Sequence, residues 1–138
     1  MPRVLISDKM SPLAEEALKQ AGIEVDVITD LDNQGLADII GDYDGLAIRS
    51  ASKVTPKVLE AAKNLKVIGR AGIGVDNIDV AAATAKGIVV MNTPFGNSIT
   101  TAEHAISMML AVARQIPLAN ASTHAGKWEK SRFMGVEL

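Results

Sequence analysis

Residues 65–91 read LKVIGRAGIGVDNIDVAAATAKGIVVM and contain a complete strand–turn–helix–strand unit. The short apolar run at 65–69 predicts a buried strand, and a glycine-rich turn follows it directly. Residues 79–86 predict a helix that ends at Gly87, and residues 88–91 predict the next strand. This alternation of strands and helices is typical of a parallel sheet that helices cover.

The same alternation extends from this unit back to the N-terminus. Apolar runs predict three earlier strands, at residues 3–7, 24–29 and 46–49. Ser11-Pro12 and Thr55-Pro56 each predict a helix that begins with a capping residue and a proline. The expected fold is therefore α/β, a flavodoxin-like, doubly wound domain with five parallel strands in the order 2-1-3-4-5.

A different pattern begins after the fifth strand. Thr100 and Glu103 have the spacing of a capping box, and the following residues predict a helix to Ile116, where Pro117 kinks or interrupts it. This helix is apolar on nearly all sides, and such helices are normally buried among other elements. No sixth strand follows.

Two parts of the chain are expected from this change of pattern. Residues 1–98 are predicted to be a substrate-binding domain. Residues 99–138 are predicted to be a crossover helix and the start of a nucleotide-binding domain whose remainder is absent. The apolar helix needs cover, either from a missing part of a longer chain or from a second copy of this one. We therefore expect the chain to self-associate, unless the helix folds back over its own domain.

The composition excludes several classes of protein. The chain is 48% hydrophobic and 22% charged with a net charge of −2, so we expect no nucleic-acid partner. It has no cysteine and only two histidines, so we expect neither disulfides nor a metal site. No apolar run approaches the ~20 residues that span a membrane, and no signal-peptide core is present, so we expect a cytoplasmic protein.

Candidate binding residues follow the central strands, because ligands of open parallel sheets bind beyond the carboxyl ends of the strands. Arg49 and Arg70 follow the third and fourth strands. The full set of candidates is Ser7, Asp8 and Lys9 after the first strand, Arg49, Ser50 and Ser52 after the third, and residues 70–77 after the fourth. Two guanidinium groups in one small volume would suit a carboxylate or a phosphate. Glycines in the turn at residues 72–75 permit backbone N–H groups to face an anion. The alternative is that the arginines form surface ion pairs and the glycines only a tight turn.

Two other nucleotide or phosphate functions do not match the sequence. Gly72 and Gly74 begin a G-x-G-x-x-G pattern, but Asn77 stands at the third glycine, so the dinucleotide motif is incomplete. Asp8 suggests a phosphoaspartate receiver, but a receiver needs its aspartate after the third strand, where this chain has Arg49.

Four stretches together resemble the D-2-hydroxyacid dehydrogenase family. They are GLAIRS at 45–50, GRAGIGVDNID at 69–79, MNTPFGNS at 91–98 and GKWEKSRFMG at 126–135. The last stretch narrows the resemblance to the branch of the family that acts on 3-phosphoglycerate. The resemblance covers the whole chain and implies NAD-dependent oxidation of 3-phosphoglycerate to 3-phosphohydroxypyruvate, the entry step of serine biosynthesis.

The same resemblance implies roles for individual residues. It implies substrate contacts from Arg49, Ser50, Arg70, Gly72, Ile73, Gly74, Val75 and Asn97, the last at an interdomain cleft. It also implies that Ile73 lies near the cofactor and that Trp128 contacts a neighbouring subunit. Ile73 stands where some members of the family have threonine, so a side-chain hydrogen bond is lost there while backbone contact is retained.

The family's catalytic arginine, glutamate and histidine, and its complete dinucleotide motif, follow the point at which this sequence ends. We therefore expect NAD in a full-length parent, no cofactor bound to this chain and no catalytic activity from it alone. Two alternatives stay open: a fragment of a glyoxylate or hydroxypyruvate reductase, and a non-enzymatic, corepressor-like interaction module.

Overall fold

Five short apolar segments form a parallel sheet in the order β2-β1-β3-β4-β5, which confirms the predicted topology. In the computed structural model, which describes residues 1–138, they are β1 (Arg3–Ile6), β2 (Glu24–Val27), β3 (Gly45–Ile48), β4 (Val67–Arg70) and β5 (Val89–Asn92). The chain returns from the edge strand β2 to the central strand β3, so the strand order reverses between β1 and β3. Loops that follow these two strands flank the crevice where such sheets bind ligands.

Helices connect the strands and continue beyond the sheet. They are α1 (Pro12–Gln20), α2 (Asn33–Ile39), α3 (Pro56–Ala61), α4 (Val80–Ala85), α5 (Ser98–Ala113) and α6 (Ile116–His124), with short 3-10 helices at Ile40–Asp42 and Lys130–Arg132. None of the helices combines the length and the apolarity that crossing a bilayer requires.

Local capping chemistry explains where two of these helices begin. Pro12 is the first residue of α1, and the Ser11 hydroxyl accepts a hydrogen bond from the N–H of Leu13. Asp79 caps α4 in the same way, because its carboxylate accepts the N–H of Ala82 at 2.9 Å. The Asp79 side chain therefore fixes the start of the helix after β4 at Val80.

The core lies on one face of the sheet. Leu5, Leu46 and Ile68 stand side by side in register on β1, β3 and β4, and each is no more than 1% exposed. Apolar side chains of the helices pack in the same cluster, among them Leu36, Val58, Leu59 and Ala83. This close-packed layer holds the carboxyl ends of the central strands in fixed register.

The chain divides into two compact units, Met1–Gly96 and Asn97–Leu138. The predicted domains are 1–98 and 99–138. That the first unit binds a substrate, and that the second leads toward a nucleotide-binding domain, stay predictions.

The start of α5 differs from the sequence prediction. The helix begins at Ser98, two residues before the predicted capping box at Thr100 and Glu103. Asn97 is the N-cap residue, and its side chain makes no capping hydrogen bond. The capping-box prediction is therefore wrong, because Thr100 already lies inside the first turn of the helix.

The end of α5 also differs. The helix stops at Ala113 rather than Ile116, because Gln115 adopts a left-handed conformation with φ of 52°. Pro117 then lies in the first turn of the separate helix α6, where its missing N–H costs no hydrogen bond. Of the two outcomes predicted at this proline, interruption is the one observed.

No residue of α5 or α6 is buried within the chain. The exposed apolar side chains of this second unit include Ile99, Val112, Leu118, Trp128 and Met134. Burial of apolar area stabilises a fold by about 25 cal/mol per Å², and the second unit gains little of that term by itself. What covers these helices stays a prediction.

Candidate functional site

Arg49 and Arg70 stand side by side at the carboxyl edge of the sheet. Arg70 is the last residue of β4 and is paired in register with Ile48, the last residue of β3, so Arg49 is the first residue beyond that strand. The Nε of Arg70 donates a hydrogen bond of 3.2 Å to the carbonyl oxygen of Arg49. The two arginines that the sequence singled out are thus in direct contact through this bond.

The two guanidinium groups have different partners. Arg49 is exposed, and its Nη1 donates to the carbonyl oxygen of Lys9 at 3.2 Å. Arg70 is more enclosed, with 11% of its side chain exposed, and its Nη1 pairs with Asp76 Oδ1 at 2.9 Å. The Asp76 side chain is 85% exposed, so water screens this ion pair and an external anion can compete for Arg70.

The pKa of Asp76 is lowered from the ordinary aspartate value. A hydrogen bond from its own backbone N–H is the largest cause, and the hydrogen bond and charge of Arg70 add to it. Asp76 is therefore ionised at neutral pH and balances the charge of Arg70. Gly74 leaves room for this pair, because a Cβ there would stand 2.8 Å from Asp76 Oδ1 and 2.9 Å from Arg70 Nη1.

The turn at 72–75 has bonded carbonyl groups and unpaired N–H groups. The carbonyl of Gly72 accepts the N–H of Thr93 at 2.9 Å, and that of Ile73 accepts the Asn92 side-chain amide at 2.7 Å, which ties the turn to β5. The N–H groups of Ile73, Gly74 and Val75 donate to no acceptor in the protein. Successive unpaired N–H groups of this kind form an anion-binding concavity.

The segment Arg49–Ser52, the 49–52 loop, is held by Asp8. The Asp8 carboxylate, 5% exposed, accepts the backbone N–H groups of Arg49 at 2.6 Å, Ala51 at 3.2 Å and Ser52 at 3.0 Å. It also accepts the Ser52 hydroxyl at 2.6 Å. Burial favours the neutral acid, but the hydrogen bonds from Ser52, Arg49 and Ala51 together outweigh burial and lower the pKa of Asp8.

This lowered pKa makes the stability of the first unit depend on pH. Ionised Asp8 stabilises the fold fully above the unfolded aspartate pKa of about 4, and the contribution is lost as the pH falls through the lower folded-state pKa. We expect the free energy of unfolding to fall more steeply below about pH 4 for the wild type than for Asp8→Asn. Urea unfolding followed by circular dichroism at several pH values measures both slopes.

Asp42→Asn is the control, because it also removes one negative charge but at an exposed position. The free energy of unfolding of this variant should depend on pH with the wild-type slope. If Asp8→Asn does not fold, ¹³C NMR of the Asp8 carboxyl in the wild type gives its pKa directly. Equal slopes, or an Asp8 carboxyl that titrates at the ordinary value, would contradict this assignment.

Two open cavities lie near this edge of the sheet. One of about 550 Å³ lies between the segment after β3 and residues 76–79, and Ser50, Lys53 and Asp76 contribute to its lining. A second of about 240 Å³ adjoins Arg70 and Met91. Arg49 lines neither cavity, so Arg49 and Arg70 share one edge of the sheet without sharing one enclosed pocket.

Three predicted residues remain. Ile73, predicted to lie near the cofactor, belongs to the turn at 72–75, is 42% exposed, and has a side chain that offers no hydrogen-bonding group. Asn97 and Trp128 belong to the second unit, where Trp128 is 84% exposed. No group of three or more histidine, cysteine, aspartate or glutamate side chains is placed to hold a metal ion.

Sequence reasoning missed one residue of this edge, Asn92, which ends β5 and whose amide holds the turn. Its only sequence signal is position at the carboxyl end of a strand. Asp8, Asp76 and Asn77 were candidates because they follow strands, but their contacts were not predicted. Asp76 neutralises Arg70, and Asp8 and Asn77 both bond to the 49–52 loop.

Comparison with known proteins extends these observations. The model of the family described as "D-isomer specific 2-hydroxyacid dehydrogenase, catalytic domain" matches residues 4–130. A D-3-phosphoglycerate dehydrogenase of Archaeoglobus fulgidus is 51% identical over 136 residues, which are 99% of this chain and 26% of that protein. The chain thus spans about a quarter of the length of this curated relative.

Solved structures agree with the sequence matches. A crystal structure of a protein from Pyrococcus horikoshii superposes with a TM-score of 0.85 at 32% identity, covering 99% of this chain and 42% of that one. An NAD⁺-bound 3-phosphoglycerate dehydrogenase from Entamoeba histolytica superposes with a TM-score of 0.72 at 33% identity, covering 82% of this chain and 39% of that one.

Proposed function

The chain belongs to the D-isomer specific 2-hydroxyacid dehydrogenases, and from this premise we propose that it is the substrate-binding part of an NAD-dependent D-3-phosphoglycerate dehydrogenase. The family predicted from the sequence is thereby confirmed. The proposed reaction of the whole protein is the oxidation of 3-phosphoglycerate to 3-phosphohydroxypyruvate, which begins serine biosynthesis.

One observation carries the choice of substrate. Arg49 and Arg70 adjoin a turn whose N–H groups at residues 73–75 are unpaired, so the edge offers two cations and a row of donors. A guanidinium binds carboxylate or phosphate through paired hydrogen bonds, and the unpaired N–H groups suit a second anionic group. A substrate with an anionic group at each end, such as 3-phosphoglycerate, uses both features.

Titration of the 138-residue chain with 3-phosphoglycerate tests this proposal. We expect amide chemical shifts in ¹H–¹⁵N spectra to change at Arg49, at Arg70 and at residues 73–75 with millimolar ligand. Glyoxylate, which carries a single anionic group, should cause smaller changes, and this comparison distinguishes the reductase alternative. Unchanged shifts at these positions with 3-phosphoglycerate would contradict the proposal.

The chain alone should not reduce NAD. Its residues include no complete G-x-G-x-x-G motif, since Asn77 replaces the third glycine, and hydride transfer needs a bound nicotinamide and an acid/base group. Ile73 is the residue proposed to approach that cofactor in the whole protein, through its backbone or its apolar side chain. Formation of NADH from 3-phosphoglycerate and this chain, followed at 340 nm, would refute the expectation of inactivity.

Replacing the competing carboxylate should strengthen substrate binding. In Asp76→Asn, Arg70 loses the anion that it now pairs with, so an incoming phosphate or carboxylate no longer has to displace it. An exposed ion pair is worth up to about 1 kcal/mol, so we expect affinity for 3-phosphoglycerate to rise about two- to fivefold. NMR titration measures the change, and Asp42→Asn controls for the change in net charge.

An unchanged or weaker affinity for Asp76→Asn would show that Asp76 does not compete with the ligand. Repeating both titrations in 0.5 M salt adds a second test, because the advantage of Asp76→Asn should shrink as salt screens the pair.

We expect the exposed second unit to mediate self-association. Val112 of α5 is 70% exposed and Trp128 is 84% exposed, and a second copy of the chain is the partner that we propose for this surface. Light scattering of the chain should show a mass above that of the monomer, rising with concentration. Val112→Lys should lower that mass, whereas Leu13→Lys, at a 69% exposed position of the first unit, should not.

A further inference from the structure

The 49–52 loop carries Arg49 and Ser50, but regular secondary structure does not hold it. The loop lies between the end of β3 and the start of α3 and has no helical or strand hydrogen bonds of its own. A substrate-contacting loop that varies in conformation would bind its ligand only in the competent fraction of molecules. The groups that fix this loop therefore matter for binding as well as for stability.

Asp8 holds the N–H side of the loop. Its buried carboxylate sits at the end of the neighbouring strand β1 and accepts the N–H groups of Arg49, Ala51 and Ser52. A single carboxylate thus collects donors from both ends of the loop, and the Ser52 hydroxyl adds a fourth. The Ser7 hydroxyl lies 2.8 Å from that of Ser52 and extends this contact.

Asn77 holds the carbonyl side of the same loop. Its Nδ2 donates to the carbonyl oxygens of Arg49 at 2.8 Å and of Ser52 at 2.7 Å. Asn77 belongs to the turn that follows Arg70, so its amide joins the two segments that carry the arginines. The Oδ1 of Asn77 is buried and has no partner, so the side chain keeps this orientation at the cost of an unsatisfied acceptor.

Arg49 and Ser52 are therefore each held twice. Asp8 takes their N–H groups from β1, and Asn77 takes their carbonyl groups from the turn after β4. The hydrogen bonds of Asp8 and of Asn77 are thus made with the loop and not with residues of the apolar core. We infer that Asp8 and Asn77 are positioning residues that hold the 49–52 loop in its substrate-binding conformation and so set the affinity for an anionic hydroxy acid.

This inference rests on the proposed function for its ligand, but its first measurement does not. In wild-type protein the amides of Arg49, Ala51 and Ser52 should exchange slowly with deuterium, because each donates to Asp8. Asp8→Asn replaces a carboxylate that accepts several N–H groups with a neutral amide, which is a weaker acceptor. Asn77→Asp replaces the donating amide nitrogen with an oxygen that repels the two carbonyl oxygens. We expect either variant to speed exchange of these loop amides at least tenfold, while the Leu46 amide in β3 stays protected.

The second measurement is the affinity for 3-phosphoglycerate. If the loop has its binding conformation in only about a tenth of the molecules of a variant, the apparent Kd of that variant for 3-phosphoglycerate rises about tenfold. We expect a rise of this size for Asp8→Asn and Asn77→Asp, and a smaller one for Asn77→Gln, which keeps an amide donor. If Asn77 had a purely structural role, Asn77→Gln would not bind 3-phosphoglycerate better than Asn77→Asp while the Leu46 amide is equally protected in both variants.

Two matched control variants remove the same kinds of hydrogen-bonding group, a carboxylate and a side-chain amide, at other positions. Asp44→Asn removes a carboxylate that accepts the backbone N–H of Arg3 at 2.9 Å, at the opposite edge of the sheet. Asn64→Asp removes a side-chain amide that donates to the carbonyl of Gly41 at 2.7 Å. Neither control should change exchange in the 49–52 loop or the affinity for 3-phosphoglycerate.

The outcomes separate the two proposals. Faster loop exchange with weaker binding supports the positioning role, and faster loop exchange with unchanged binding overturns it. Loop and core amides that lose protection together also overturn it. If the wild type does not bind 3-phosphoglycerate, the proposed function fails, and the exchange data alone then decide whether Asp8 and Asn77 hold the loop.

Discussion

Arg70→Ala is expected to bind 3-phosphoglycerate at least ~30-fold more weakly than the wild-type chain, because truncating one partner of an enclosed charged hydrogen bond costs about 2–5 kcal/mol. Arg70 is enclosed, with 11% of its side chain exposed, and its one anionic partner is an exposed carboxylate that a ligand can replace. Of the two arginines, Arg70 is therefore the one that we expect to interact more strongly with a bound anion.

Arg70→Lys tests the form of the interaction. Lysine keeps the charge but loses the planar fork, and we expect it to restore only part of the affinity. Because Arg70 also donates to the Arg49 carbonyl, loop amides must be compared in the same spectra. Arg114→Ala, at an exposed position of the second unit, is the control. An Arg70→Ala chain that binds like the wild type would exclude the two-arginine site.

Leu46→Ala is expected to lower the free energy of unfolding by about 2–5 kcal/mol, the usual cost of a cavity at a fully buried leucine. Leu46 is 1% exposed on the central strand β3, between Leu5 and Ile68 in register. A domain is typically stable by about 5–15 kcal/mol, so this loss is a large part of the total. Urea unfolding followed by far-UV circular dichroism measures it.

Leu13→Ala is the matched control. Leu13 lies in α1 and is 69% exposed, so the same substitution should change stability by less than about 0.5 kcal/mol. If Leu46→Ala does not fold, Ile68→Val provides a milder change with an expected cost of about 0.5–1.5 kcal/mol. Equal stability of Leu46→Ala and Leu13→Ala would contradict the position of the core.

Elements with strong local signals were predicted closely. Ser11-Pro12 begins α1 and Gly87 follows the end of α4 as expected, because a cap, a proline and a left-handed glycine act on their nearest neighbours. The boundaries of α5 were wrong by two or three residues, since its start lacks a side-chain cap and its end depends on the left-handed Gln115. A residue other than glycine in that conformation is uncommon and has no reliable sequence signal.

By itself the sequence determined the family, the order of the strands and the placement of Arg49 and Arg70 at the carboxyl ends of adjacent strands. These follow from apolar periodicity and from motifs whose residues are neighbours in the chain. Only the tertiary structure decided which groups hold those arginines in place. Asp8 reaches Ser52 across 44 positions and Asn77 reaches it across 25, and such bonds depend on how the strands are ordered in the sheet.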